Sequence, residues 1–400
     1  MPHLRTHLES LQEGWQILRS NLPLTVYAVL SVVFLYLIFT DRSYFSNHIG
    51  SEMDTLFLFI IFISTAVSIL LGAFLDKKIS PKSHIFWNLL GFIFSLTLLI
   101  PISSSYSLYL YAIFGGLSGG FCVPNTLKLV LNLTKFENRG SASGFFTFFV
   151  YIIIFSSSFA FSTIISSAHF LIGTKLITLL ISYFKPIKTK LSSDTLLVRH
   201  NLRTKVFFML VWVIFSLVDT IISKVVSNVL VGQQEVLITI GLESVALGLI
   251  AMIIGGSLMD NFGRRRLMIF AYTYLGLEYA MVSLTGIALI GLTFLDGIAW
   301  GILTTLFLLV IWGDLESEKR PIFIAISFTI AMASYLVKGI LYTVSWNVDI
   351  NNTFPLTSLF LFVAVIITLF LPETLPDKVV QAKELKDYIE HAKKIREKFD

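Results

Sequence analysis

The stretch Gly255-Gly256-Ser257-Leu258-Met259-Asp260-Asn261-Phe262-Gly263-Arg264-Arg265-Arg266 lies between two long apolar runs. A weaker copy, Gly72-Ala73-Phe74-Leu75-Asp76-Lys77-Lys78-Ile79-Ser80-Pro81-Lys82, sits earlier in the chain. Both read as a small residue, three residues, an Asp and then a basic cluster. Both join one apolar run to the next through a very short turn. Glycine lets two helix ends approach closely. The Asp can cap the following helix or pair with another helix end nearby. The basic residues do not cross a bilayer readily, so they hold the turn on the cytoplasmic side.

Composition agrees with a chain solvated by lipid. Of 400 residues, 55% are hydrophobic and only 14% charged, with a mean hydropathy of +0.81. A soluble domain carries nearer a quarter of charged residues. One cysteine, Cys122, excludes a disulfide framework, and the seven histidines are scattered without metal-ligand spacing. No metal or cofactor is expected. The first 21 residues are mixed polar, which does not suit a cleavable signal peptide.

Twelve apolar runs approach the roughly 20 residues that span a bilayer. They cover about 22–40, 55–75, 84–102, 106–131, 142–161 and 163–184, then 206–226, 236–259, 267–284, 286–312, 322–345 and 355–371. With both termini inside, cytoplasmic segments hold twenty-five of the thirty Lys and Arg residues, and only Arg42 lies outside. The other four, Lys128, Lys175, Lys224 and Lys338, fall within spans. This asymmetry fixes the orientation expected from sequence.

The two halves repeat. Asp76 and Asp260 are 184 positions apart, and Gly116-x-x-x-Gly120 recurs 181 positions later as Gly297-x-x-x-Gly301. Glu137-Asn138-Arg139-Gly140 recurs at the same offset as Glu318-Lys319-Arg320-Pro321. The reading is an all-α membrane protein, with twelve helices in two pseudo-symmetric six-helix bundles around a central cavity. Its expected divisions are an N-terminal bundle (1–184), a cytoplasmic linker (185–205), a C-terminal bundle (206–371) and a cytoplasmic tail (372–400). The tail, rich in Lys and Glu, has the spacing of an amphipathic helix on the inner membrane surface, and 4–20 is a weaker version.

The loop signature resembles that of the major facilitator superfamily, Gly-x-x-x-Asp-x-x-Gly-Arg-Arg/Lys. The second copy matches at Gly256, Asp260, Gly263, Arg264 and Arg265. The first keeps Gly72, Asp76 and basic residues but lacks the second glycine. The resemblance implies a cytoplasmic gate network of these residues with Glu137, Arg139, Glu318 and Arg320. The plainer reading makes them topology anchors only. Leu371-Pro372-Glu373-Thr374 is similar to the close of the last span in sugar-porter members, although the acid those members carry in span one is missing. The absence of an Arg in span four and of Gly-Pro in span five weighs against drug efflux.

Ionisable residues inside spans cost a few kcal/mol at mid-bilayer unless paired or hydrated, so each points to function. Asp219 and Asp296 fall near the middle of spans seven and ten, and Glu243 and Lys338 in the outer half of spans eight and eleven. In the superfamily, spans one, four, seven and ten line the cavity. The resemblance therefore makes Asp219 and Asp296 cavity residues, flanked by Glu243 and Lys338, and leaves Glu278 and Lys175 on supporting helices. A desolvated carboxylate can exchange a proton with its surroundings; paired with a buried Lys it would serve structure alone. Tyr27, Ser31, Tyr36, Asn125, Trp300 and Thr304 are polar and aromatic candidates for the cavity.

No phosphate loop, nucleophile elbow or metal spacing supports an enzyme. The expected function is secondary transport of a small polar organic solute, such as a sugar or organic acid, by alternating access, with proton symport as an option. The alternatives are efflux of amphipathic compounds and a membrane sensor that kept the fold. Expected partners are the solute, protons and the lipid bilayer, without nucleic acid, for a monomeric multi-pass protein of the cell membrane.

Overall fold

A backbone in lipid has no water to bond, so an apolar run must satisfy its own N–H and C=O groups, and an isolated run can do so only as a helix. The computed structural model describes residues 2–40, 51–75, 81–99, 105–161, 167–184, 201–285, 293–316, 319–343 and 350–376, with four single positions in the tail. Every element among them is helical. The first bundle begins with α1 (Pro2–Ser20), α2 (Leu22–Thr40), α3 (Ser51–Leu75) and α4 (Pro81–Ser95), the last followed by a 3₁₀ turn. It continues with α5 (Ser105–Gly120), α6 (Val123–Asn132), α7 (Arg139–Phe161) and α8 (Ser167–Phe184). The second comprises α9 (Leu202–Val229), α10 (Gln234–Phe262), α11 (Arg264–Thr285), α12 (Asp296–Thr305), α13 (Ile311–Leu315), α14 (Arg320–Thr343) and α15 (Ile350–Leu369).

Eight helices among the described residues are long and apolar enough to cross a membrane, or nine if α1 and α2, bent by 91°, count together. Two shorter apolar helices accompany them. The expected fourth span is interrupted, because α5 ends at Gly120 and α6 starts at Val123. Pro124 at the second position of α6 lacks an N–H and clashes with the preceding turn, which favours a break there. The tenth span contains a π turn over Leu306–Val310 between α12 and α13. There the Phe307 carbonyl accepts bonds from both Trp312 Nε1 and Ser327 Oγ. Such turns re-aim side chains inside a helix, and Leu308 and Leu309 both face the central cavity.

The internal repeat recurs as packing. Gly116 and Gly120 of α5 press on Ser64 and Ser68 of α3, while Gly297 and Gly301 of α12 press on Ser244 and Gly248 of α10. The bundles meet along two seams, α7 on α10 and α3 on α14. Large apolar side chains on the outer helix faces, such as Phe74, Ile254, Phe270 and Phe370, remain exposed, as a lipid-facing surface requires.

Helix α1 does not stand apart as a surface helix. It packs on α7 and α10 together. Its Trp15 ring lies 5.9 and 5.8 Å from those of Phe145 and Phe149 on α7. Its His7 Nδ1 accepts a bond from Asn261 Nδ2 on α10 at 2.8 Å. Most of the tail, the linker segment 185–200, Asp76 and Glu318 lie outside the described residues, and of Lys338 only its place in α14 is described.

Candidate functional site: a sealed end and a central cavity

Helix α10 ends at Phe262 and α11 begins at Arg264, so one residue must turn the chain. Gly263 does so with φ of +96°, a conformation that a side chain disfavours. A Cβ there would also meet the Glu373 carboxylate at 2.6 Å. That carboxylate accepts the backbone N–H groups of Arg264 (2.8 Å) and Arg265 (3.1 Å). The Pro-Glu-Thr stretch after α15 thus caps α11, placing negative charge at a helix N-terminus.

Asp260 caps a helix of the other bundle. Its oxygens accept the N–H groups of Gly140 (2.8 Å) and Ser141 (2.7 Å), the Ser141 hydroxyl (2.8 Å) and the Ser10 hydroxyl (3.4 Å). These donors are the first turn of α7 and the middle of α1. The approach is possible because α7 and α10 cross at glycine: a Cβ on Gly256 would meet the carbonyl of Gly140, and a Cβ on Gly140 would meet that of Gly256.

Two arginines and two aspartates complete the seal, with side chains fully buried. Arg264 reaches Asp260 at 3.1 Å and Asp314 at 3.1 Å. Arg139, from the other bundle, reaches Asp314 at 2.6 Å. Arg264 also donates to the Phe136 carbonyl at 2.7 Å, and Thr374 Oγ1 donates to Asp314 at 3.0 Å. Arg320 bonds Asn132 of the other bundle at 2.7 Å and the carbonyls of Gly313 and Glu316. Arg265 donates to the Leu371 carbonyl at 3.1 Å. Buried ions persist only when paired and bonded on every side, and here Arg139 and Arg264 balance Asp260 and Asp314. Glu137 is exposed, and Gly72 lies at the end of α3, where its carbonyl accepts Asn125 Nδ2 at 2.9 Å. Asp314 and Glu373 have central places that the sequence reading did not assign. The available signal for Asp314 was an acid closing an apolar span six residues before Arg320.

Beyond the seal the bundles part around two adjoining chambers with shared walls, about 950 Å³ nearer the seal and about 1010 Å³ further out, each counted with the space it opens onto. Asp219, Tyr36, Trp300 and Tyr335 line both. Tyr36 of α2 and Tyr335 of α14 bond through their hydroxyls, bridging the bundles. The rings of Tyr335, Tyr36, Tyr151 and Trp300, in that order, form an edge-to-face series with successive centroids 5.4, 5.6 and 4.7 Å apart, the arrangement that aromatic quadrupoles favour. Asp296 lines the outer chamber and accepts a bond from Ser244 Oγ at 2.9 Å. Thr304 lines the inner one.

The remaining candidates lie elsewhere. Asn125 is buried in the first bundle against Gly72. Tyr27 accepts a bond from Asn88 at 2.7 Å, and Ser31 donates to the Tyr27 carbonyl. Glu243 is exposed on α10. Lys175 is buried within the first bundle, donating to the Ser118 carbonyl at 2.6 Å with its ammonium 4.2 Å from the Phe34 ring centroid. Glu278 is buried in the second bundle.

The two helical bundles are thus glycine-crossed and sealed at one end over a cavity. Residues 2–158 match the family model described as Major Facilitator Superfamily. The E. coli fucose:proton symporter superimposes with a TM-score of 0.62 at 13% identity, covering 88% of this chain and 98% of that one. A bacterial homologue of the iron transporter ferroportin, in an outward-facing state, gives 0.68 at 11% identity, over 89% and 98%. The proton:xylose symporter XylE gives 0.59 at 13%, over 92% and 97%. No curated protein matches by sequence. The chain is a multi-pass, all-α membrane protein with the major facilitator fold, as its loop signatures led one to expect.

Proposed function

We propose that this protein is a secondary transporter that carries a small organic solute by alternating access, held here with its basic end sealed toward the cytoplasm of the cell. The observation that carries the reading is Asp219, which faces both chambers of a cavity whose far end is shut by an interbundle ion-pair lattice. Buried pairs at a dry seam are bistable: they hold fully or separate. The Tyr36–Tyr335 bridge joins the bundles where the two chambers meet.

The described lining offers hydroxyls, aromatic rings and two carboxylates, and no basic side chain. That suits a neutral polyol or an amine better than an anion, which would meet like charge. Hydroxyl and carboxylate groups facing the cavity also favour polar cargo over amphipathic efflux.

Uptake of labelled sugars and amines into proteoliposomes, under imposed pH and sodium gradients, tests this. Asp219→Asn is expected to lower the initial rate by about 10²-fold, the scale of losing a positioned acid–base group. A wild type that moves no solute under any gradient would overturn the reading.

A further inference from the structure

Three carboxylates are buried among the described residues: Asp260, Asp314 and Glu278. The first two are saturated with donors from arginine, backbone and hydroxyl groups. Glu278 is the opposite case. It is 7% exposed, and neither of its carboxylate oxygens has a hydrogen-bond partner. An ionised carboxylate in such a place would forfeit its hydration without replacement, at a cost of several kcal/mol. A protonated one loses far less.

Among the described residues no cation is recorded against Glu278. Asp296 opens α12, a helix packed on α11, and has the same sign. On α11 itself Tyr274 and Tyr279 stand close enough to feel both acids. From α15 the packing on this stretch comes from Phe354, against the Tyr279 ring, and Ser358, which donates to the Gly276 carbonyl. From α10 comes Ser244, bonded to Asp296, and from α9 Asp219, which lines the same outer chamber as Asp296. No set of ligating residues for a metal ion occurs among the described residues.

We propose that Glu278 is a proton-binding site, a carboxylic acid held behind the cavity wall that exchanges its proton with the outer chamber through Asp296. The two acids share no hydrogen bond in this form, so the transfer follows a rotation of Glu278 or the entry of a water from the chamber: the Glu278 O–H bond breaks, an O–H bond forms on an Asp296 oxygen directly or by relay through that water, and the negative charge moves to Glu278. A negative charge on Asp296 disfavours a second on the buried Glu278 beside it, so the pair keeps one proton while the basic end is sealed. This rests on the transport reading for its purpose, since a stored proton released on the other side is what would drive uphill movement of solute. The proton site itself does not depend on it.

Infrared difference spectroscopy on the purified full-length protein at neutral pH, wild type against Glu278→Gln, tests the site directly. The expected result is a carboxylic-acid C=O band in the wild type that shifts in D₂O and is lost in Glu278→Gln. Glu278→Asp should restore such a band at a displaced frequency. No band difference between wild type and Glu278→Gln, with both folded by thermal melting, overturns the proposal. In proteoliposomes loaded with a labelled sugar or amine that the wild type carries, Glu278→Gln should cut the stimulation by a pH gradient about tenfold. Exchange at equal pH should change less than about twofold. Equal loss of both would assign Glu278 a structural role and also overturn it. If the wild type carries nothing, the transport reading fails while the infrared result still decides the proton site.

Discussion

Replacing Asp314 with Asn is expected to open the sealed end. Asp314 accepts from Arg139 of the first bundle and Arg264 of the second at once. An amide cannot neutralise either guanidinium, and both are fully buried. Arg264 keeps Asp260, but Arg139 loses the Asp314 carboxylate. Removing one member of a buried pair costs about 3–5 kcal/mol, and each 1.4 kcal/mol is about tenfold in an equilibrium. The sealed form should therefore lose about 10²–10³-fold against the open one. The check is a cysteine at Thr305, which is fully buried below the cavity and bonded to Thr147 across the seam at 2.8 Å. In a Cys122→Ala background, a membrane-impermeant maleimide applied to the basic side of vesicles should label Thr305→Cys about 100-fold faster once Asp314→Asn is added. An unchanged rate would mean that the ion pairs do not hold the seam.

Gly256→Val should act on the same seam by shape alone. The missing Cβ of Gly256 points at the Gly140 carbonyl, and that of Gly144 at the Met252 carbonyl, so α7 and α10 touch backbone to backbone. A branched side chain there cannot be absorbed by rotating a neighbour, because the neighbour is main chain. The helices must separate, and with them the bonds from Gly140 and Ser141 to Asp260. Overpacking of this kind costs about 1–3 kcal/mol or more. The expected readings are a lower melting temperature and faster labelling of Thr305→Cys. Gly173→Ala is the control, since nothing lies within 4 Å of its added Cβ. It should leave labelling unchanged and raise stability by about 0.5–1 kcal/mol.

These seams explain which parts of the molecule were legible in the sequence. The apolar runs and the asymmetry of Lys and Arg are local properties, so the helices and their repeat could be read directly. The signature around Asp260 was readable as a cap with two possible clients. Only tertiary structure places the first turn of α7, from the other bundle, against it. Asp314 has no counterpart in the repeat and carries no motif of its own. Its importance comes from two arginines 175 and 50 positions away. Glu373 was visible within a sugar-porter-like stretch, but its work as a cap for α11 depends on how α15 ends. Asn125 and Trp300 looked equivalent as polar or aromatic groups in cavity helices. The break between α5 and α6 turns Asn125 toward Gly72, while Trp300 lines both chambers. Glu278 was assigned to an outward-facing support because helix order alone cannot say which face of α11 is covered by α12 and α15.

Helix α1 gives the seam a further property. It joins α2 through a 91° bend and touches both α7 and α10. When those two helices separate, α1 can stay with only one of them. Its apolar groups, including Trp15 and the exposed Leu8, then need another home. The bilayer interface is the available one, because an amphipathic helix partitions there by its apolar area. Opening would exchange a protein groove for lipid, which makes the surrounding membrane a reactant in the cycle. Packing defects in the bilayer should ease the exchange and tight packing resist it. In liposomes of unsaturated lipid, labelling of Thr305→Cys from the basic side should be faster than in liposomes rich in saturated chains. Deleting residues 2–20 should abolish that dependence on lipid.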